Sequence, residues 1–271
     1  MRELVIKPKS VFRLDVREIW EYRELFYFLA WRDLKVRYKQ TAIGVAWAVL
    51  QPLLTTVVFT VFFGKIAGIT TGNIPYPVFA FTGLLFWNYF SNFLSDASGS
   101  LVANRGIIEK VYFPRLIVPL SGIVVYLVDF FIGLIMFGVL VIVYGVHVSL
   151  LGIAFIIPAV CIATLASSGL GMFFAALNVK YRDVRYALPF FIQLIMFVSP
   201  VIYPASVLGR HQWLWYFNPL SGVLEGTRSL LFGLSPLNVP LLLSSAGMSI
   251  VLFVVGLLYF KRTEQWFADI V

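Results

Sequence analysis

Four groups of residues in this 271-residue chain have types and spacings that could do chemistry. Arg32, Lys35, Arg37 and Lys39 gather four cations in a short stretch, a cluster suited to phosphate or to anionic lipid headgroups. Asn88, Asn92 and Ser95 recur at helical spacing among Phe86, Trp87, Tyr89 and Phe90. Aromatic faces flanked by amides and hydroxyls suit sugars, whose C–H surfaces stack on rings while their hydroxyls find polar partners. Asp129 is a lone acid deep in apolar sequence, and Glu225 and Arg228 stand three apart, close enough to pair on one helix. Other chemistries find no residues to carry them. HExxH, CxxC and GxSxG are absent, His147 and His211 stand alone, and Cys161 is the one cysteine, expected as a packed, inert thiol. No GxxxxGK[ST] phosphate loop occurs either, so ATP-driven work by this chain requires a partner to bind the nucleotide.

The elements that must position these residues are membrane helices. Hydrophobic residues make up 60% of the chain, charged residues 13%, and the mean hydropathy is +0.90, far from soluble averages. Crossing a bilayer takes about 20 mostly apolar residues, and runs of that kind lie near 42–63, 78–98, 116–144, 150–177 and 239–260. A sixth, 187–202, is short and punctuated by Pro189 and Pro200, which predicts a broken span. Ten of the 21 Lys and Arg precede residue 42, three lie in 101–115, three in 178–186 and two in the C-terminal tail; Lys65, Arg210 and Arg228 fall on the opposite side. Positive loops are retained in the cytoplasm, so both termini are expected there, with no cleavable signal. The net charge of +8 expresses this asymmetry and gives no footing for nucleic acid.

Before the first span, residues 18–40 mix Trp20, Trp31 and five Tyr or Phe with frequent charge. Glu21, Glu24, Arg32, Lys35 and Lys39 share an arc while Arg23, Asp33 and Arg37 lie near the opposite side, predicting an interface helix with polar contacts on two faces. Its partner is either anionic lipid or a cytoplasmic protein. Asp129 is expected to make a structural hydrogen bond to a neighbouring helix, the second span's amides being the nearest candidates. Ser167, Gly171 and Ala175 form a small-xxx-small series that permits close packing. The polar face of the second span should either line a water-filled path or bond helix to helix. Residues 205–236 are too apolar for a solvated loop, and Pro219 divides them into two short helices expected to enter and leave the membrane from outside.

Four stretches carry a resemblance. "WRDLKVRYKQTAIGVAWAVLQPLL" from Trp31, "NRGIIEKVYFPRLIVPLSGIV" at 104–124, "NVKYRDVRYALPFFIQLIMFVSPVIYP" at 178–204 and "FNPLSGVLEGTRSLLFG" at 217–233 together resemble, in order, the membrane subunits of type-2 ABC exporters of bacterial polysaccharides, the group of O-antigen, capsule and teichoic-acid permeases. The resemblance implies an all-α integral membrane protein with an interface helix within 1–41, a six-span domain over 42–271 and external re-entrant helices. It implies a homodimer in the bacterial inner membrane, bound to two copies of a cytoplasmic ABC ATPase that carry the ATP and Mg²⁺. No cofactor is expected in this chain, and the cargo implied is a lipid-linked polysaccharide. A permease for a smaller amphiphile and a non-transporting scaffold are the alternatives.

Roles follow from the same likeness. Ile107, Ile108, Glu109, Lys110, Val111, Tyr112 and Phe113 match the coupling helix that docks on the ATPase. Apolar side chains there would cost about 1.5–3 kcal/mol each if left in water, which favours a docking surface over a free loop, though packing on the chain's own subunit answers the same cost. Phe86, Trp87, Asn88, Tyr89, Phe90, Asn92 and Ser95 are candidates for the channel wall. Arg32, Lys35, Arg37 and Lys39 would stand at the entrance, near a lipid-borne diphosphate. Trp213, Trp215, Tyr216, Phe217, Glu225 and Arg228 would form the external gate.

Overall fold

The computed structural model describes residues 20–39, 44–181, 183–204 and 212–264. Residues 1–19, Ser206, Arg210 and His211 lie outside that range, as does the first part of the expected re-entrant segment. Among the described residues every regular element is helical.

Helix α1, Arg23–Lys39, has Glu24 in its first turn and Arg37 and Lys39 in its last, both favourable to the helix dipole. It buries Leu29 and Ala30 and lies against α5. Helix α2, Gly44–Phe59, contains Pro52 and continues as a π-helical stretch, Thr60–Ile66. Helix α3, Tyr76–Ala103, begins behind Pro75 and ends where the Asn104 side chain donates to the Ser100 carbonyl at 2.9 Å. A single turn, α4 at Arg105–Ile108, leads into α5, Ile117–Val143. Gly145, at φ 62°, takes the left-handed position just past the end of α5. Helix α6, Leu150–Lys180, is capped by Ser149, whose hydroxyl accepts from the Gly152 amide at 3.2 Å. Helix α7 is short, Val184–Val198. A 3₁₀ turn at 212–217 and α8, Ser221–Phe232, flank Pro219, as the sequence predicts. Asn238 caps α9, Val239–Thr263, by accepting from the Leu241 amide at 3.0 Å.

Four of these helical stretches are long and apolar enough to cross a membrane: Val49–Ile66, Ile117–Val143, Leu150–Lys180 and Val239–Thr263. Helix α3 has 28 residues, length enough, but Asn88, Asn92, Ser95 and Asp96 lower its apolarity. It compensates by burial. Phe79, Phe81, Phe86, Phe90 and Phe93 are all sealed among α5, α6 and α8, which makes α3 the axis of the bundle. The outer surfaces of α2 and α7 are apolar instead, with Leu54, Val57, Phe62, Phe190 and Phe197 exposed, as suits lipid or a second subunit.

The closest helix crossing is between α6 and α9. A Cβ built on Gly256 would lie 1.9 Å from the Gly169 carbonyl oxygen, so the two backbones touch where only glycine fits. The small series on α6 also packs closely: Ser167 and Ala175 are buried, and a Cβ at Gly171 would approach that of Ala97 to 2.7 Å. Cys161 departs from expectation. It is free and exposed, because the face of α6 that turns inward carries Ala159, Ala163 and Ala166, leaving position 161 on the outside of the bundle.

Candidate functional site

Beyond the C-terminus of α3, the turn at 104–113 is fixed from within. Ile108 and Phe113 are buried in a cluster with Leu29, Leu101, Val179 and Phe260. Fixing those two side chains turns Tyr112 outward to 76% exposure, with Val111 also exposed beside it. Glu109 pairs with Arg105 at 2.7 Å, four residues back, and Lys110 is exposed; Ile107 packs partly onto the same cluster. Two contacts tie the turn to α1: the Arg32 guanidinium donates to Asn104 Oδ1 at 2.8 Å, and the Tyr22 hydroxyl reaches the Tyr112 carbonyl at 3.5 Å. Of the seven residues of the expected coupling helix, Ile108 and Phe113 are therefore inward anchors, and Val111 and Tyr112 form an outward apolar pair.

Further along α1, Arg37 and Tyr38 both reach Asp129 on α5. Arg37 Nη2 lies 2.5 Å from Asp129 Oδ2, and the Tyr38 hydroxyl donates to Oδ1. The Arg37 guanidinium also sits 5.0 Å from the centre of the Tyr126 ring. Burial, and then the bond to the carboxylate, pushes the Tyr38 phenol upward, so it remains a donor at neutral pH. Burial opposes the charge on Arg37, but Asp129, Tyr126 and Tyr38 together outweigh it and the guanidinium is held above its usual value. Asp129 does have a structural partner, as expected, yet on the interface helix rather than among the amides of the second span.

Arg37, Asp129 and Tyr126 line a narrow cleft of about 50 Å³ with Gln51, Asn88 and Asn92. A larger cavity of about 830 Å³ opens beside Ser95, Asp96, Arg32, Asp33, Asn178 and Arg185. The polar stripe of α3 thus faces open space along successive turns. The neighbouring aromatics take other positions: Phe86, Trp87, Tyr89 and Phe90 are buried in the subunit's own core, Phe86 5.2 Å from the Phe130 ring and the Tyr89 hydroxyl 2.6 Å from that of Thr164. Of the four, only Tyr89 touches the cleft.

The expected entrance cations separate. Arg32 is bound to Asp33 at 2.7 Å as well as to Asn104, and Arg37 is held by Asp129. Lys35 and Lys39 are exposed, Lys35 lying 5.2 Å over the Trp31 ring. Arg185 is an exposed cation on the rim of the large cavity, which sequence reasoning noted only as part of a basic loop. Tyr38, Tyr126 and Gln51 were also missed, although Tyr126 precedes Asp129 by one helical turn and so shares its face.

At the opposite end of α3, Arg228 is 1% exposed. Its guanidinium donates to the carbonyls of Pro200 and Val201, each at 2.5 Å, and of Phe79 at 3.2 Å, and it covers the Phe79 ring at 3.6 Å. Glu225 lies 3.7 Å away, the ion pair anticipated from spacing. Arg228 therefore staples the turn after α7 to the start of α3, satisfying carbonyls that Pro200 leaves without helical partners. Trp215 is buried and Trp213, Tyr216 and Phe217 are exposed.

A multi-helix membrane body with an interface helix, a fixed turn at one end and a stapled end opposite is the frame in which the family match is decisive: residues 24–232 match the ABC-2 type transporter family. The chain belongs to that family. It is the membrane component of a transporter, and the matched region takes in α1, the 104–113 turn, both cavities and α8. Similarity to individual family members spans nearly the whole chain. The chain is 30% identical over 249 residues to an O-antigen export system permease protein of Klebsiella pneumoniae, covering 91% of this chain and 95% of that protein. A Myxococcus xanthus protein of the same description is 29% identical, with 94% and 98% covered. The polysialic acid transport protein KpsM of Escherichia coli is 24% identical over 208 residues, 73% of this chain and 77% of that one.

Proposed function

We infer that this chain is the permease subunit of an ATP-driven exporter that moves a lipid-linked polysaccharide, of O-antigen type, across the bacterial inner membrane. The single observation that carries the reading is the likeness to O-antigen export permeases over more than nine-tenths of this chain and of theirs. The permease acts as a homodimer with two copies of a cytoplasmic ATPase, on which ATP and Mg²⁺ sit. Val111 and Tyr112 are the docking contact, supported by their exposure on a turn whose other apolar residues are buried or half-buried. An exposed apolar pair on a rigid turn has its cost removed by a partner's groove.

Six spans complete the subunit, with α3 and α7 added to the four apolar ones. Both termini face the cytoplasm, in keeping with the positive loops. Residues 212–236 belong to a segment that enters and leaves from outside, supported by its two short helices about Pro219 and by the Arg228 staple beneath them. The polymer passes along the polar stripe of Asn88, Asn92 and Ser95, which faces open space in the subunit.

Deletion of the gene in its host tests the reading. Surface polysaccharide should disappear while lipid-linked polymer accumulates inside. Wild-type chain should restore export, and Tyr112→Asp should insert normally without restoring it. Undiminished surface polymer in the deletion strain would overturn the assignment.

A further inference from the structure

We propose that Glu264, at the C-terminal end of α9, is a positioning residue for transport: it clamps the outgoing limb of the 104–113 turn to α9, through which a displacement of the turn reaches the external α8. This path rests on the export reading, since the turn does work only where an ATPase drives it.

Glu264 is badly placed for its own helix. It is the C-cap of α9, where the dipole favours cations such as Lys261 and Arg262 of the last turn and opposes an acid by about 0.3–1 kcal/mol. Its bonds run across the bundle instead, to the residue two places after Phe113. Glu264 Oε1 accepts from the Arg115 backbone N–H at 3.1 Å, and the Arg115 guanidinium donates to the Glu264 carbonyl at 2.5 Å. Lys261 Nζ lies 3.1 Å from the other carboxylate oxygen and fixes the side chain. Helix α5 thereby receives what its own sequence lacks. Its N-cap, Leu116, makes no side-chain capping bond and its first turn holds no acid, so the Glu264 carboxylate serves as the anion at that positive helix end.

The turn is thus gripped on both limbs. Arg32 of α1 holds Asn104 where the chain enters, and Glu264 holds Arg115 where it leaves, with Val111 and Tyr112 exposed between them. Leu257 and Phe260 of α9 are buried in the cluster that takes Ile108 and Phe113. Such apolar contacts are non-directional and allow sliding, whereas the bonds to Glu264 are directional and carry a pull as well as a push. The far end of α9 is bonded too. Ser245 Oγ accepts from the Gly222 amide at 2.8 Å and donates to the Asn218 carbonyl at 3.0 Å, at the start of α8. From Ser245 to Glu264 the helix runs about 28 Å, and Pro240 lies in the first turn, outside that length, so no break interrupts it.

The test uses the tagged chain in complex with the ATPase that co-purifies from its host. In a Cys161→Ala background, Trp213→Cys on the exposed 212–217 turn reports the far end of the path. Its labelling rate by a charged maleimide should change about fivefold or more when ATP, Mg²⁺ and vanadate are added, the low end of coupling between distant sites, and Glu264→Leu should cut that response to less than about twofold. In cells the same variant should lower surface polymer about fivefold or more while ATP hydrolysis by the purified complex stays within about twofold of wild type. A helix end that merely folded less well would lower abundance, hydrolysis and export together. Arg115→Gln, which removes the guanidinium bond from the other side, should uncouple in the same way and decides the matter where Glu264→Leu accumulates poorly. Arg262→Gln, an exposed cation at the same helix end, should match wild type in each assay. No ATP response at Trp213→Cys, a full response in both clamp variants, or export and hydrolysis lost in proportion would overturn the clamp. Coupled export in both variants, with surface polymer absent from the deletion strain, sinks this proposal alone. Loss of the labelling response in the variants, with normal surface polymer in the deletion strain, sinks the export reading alone.

Discussion

Removing the charge of Asp129 should loosen α1, and the size of the effect follows from its surroundings. The carboxylate is 16% exposed and its Arg37 partner 37% exposed, so the pair is neither solvated nor fully desolvated. At an effective dielectric near 20, opposite charges at contact attract by about 4 kcal/mol. Desolvation of Asp129 and the solvent screening allowed by Arg37 remove more than half of that, leaving a net coupling of about 1–2 kcal/mol. Tyr38 contributes separately, about 1.5–3 kcal/mol for one hydrogen bond to a charged acceptor.

A double-mutant cycle isolates the first quantity. Asp129→Asn and Arg37→Gln, alone and together, would be unfolded by SDS titration in mixed micelles and followed by tryptophan fluorescence. Each single variant should lose about 1–3 kcal/mol, and the double variant should lose about 1–2 kcal/mol less than their sum. Tyr38→Phe should cost about 1.5–3 kcal/mol in the wild-type background. Additivity of Asp129→Asn and Arg37→Gln within about 0.5 kcal/mol would mean the two groups do not interact, and the hold of Asp129 on α1 through Arg37 would have to be abandoned.

Three other outcomes are expected. Gly256→Ala should destabilise the chain by about 1–3 kcal/mol because its Cβ would meet the Gly169 carbonyl at 1.9 Å, whereas Gly247→Ala, with open space around it, should be tolerated; equal melting of the two in micelles would refute the crossing. Arg228→Lys should cost about 2–4 kcal/mol, since one ammonium cannot reach three carbonyls and cover a ring at once, against less than about 0.5 kcal/mol for exposed Arg105→Lys, measured by the same unfolding titration. Cys161 should react in intact membranes with a bilayer-soluble maleimide and resist a charged, impermeant one; equal labelling by both would place it in water.

The sequence made legible whatever depends on local period or spacing. Apolar runs located the helices within a few residues, and the Glu225–Arg228 interval gave an ion pair that is present at 3.7 Å. What depends on the rotation of one helix against another was hidden. Tyr38 lies 91 positions from Asp129 and Arg228 lies 149 from Phe79, and no spacing rule connects residues so distant. Ile108 and Tyr112 were expected to belong to one docking segment, but α4 ends at Ile108 and the chain beyond it turns away, sending one side chain inward and the other out. Cys161 failed for a related reason: an all-apolar helix carries no period from which to tell its lipid side from its packed side.

Helix α1 joins features that the chain keeps far apart. Leu29 packs into the cluster that anchors Ile108 and Phe113, Arg32 holds Asn104, and Arg37 and Tyr38 hold Asp129 at the cleft. From Leu29 to Tyr38 the helix runs about 13 Å, a length over which an intact α-helix moves as one body. A displacement of the 104–113 turn therefore cannot leave Arg37 and Tyr38 in place unless the Arg32–Asn104 bond breaks or Leu29 leaves its cluster. Burying Leu29 is worth about 1.5–3 kcal/mol, and the Arg37–Asp129 pair together with the Tyr38 hydrogen bond is worth at least as much, so the cleft end of α1 is held no more weakly than the end at the turn.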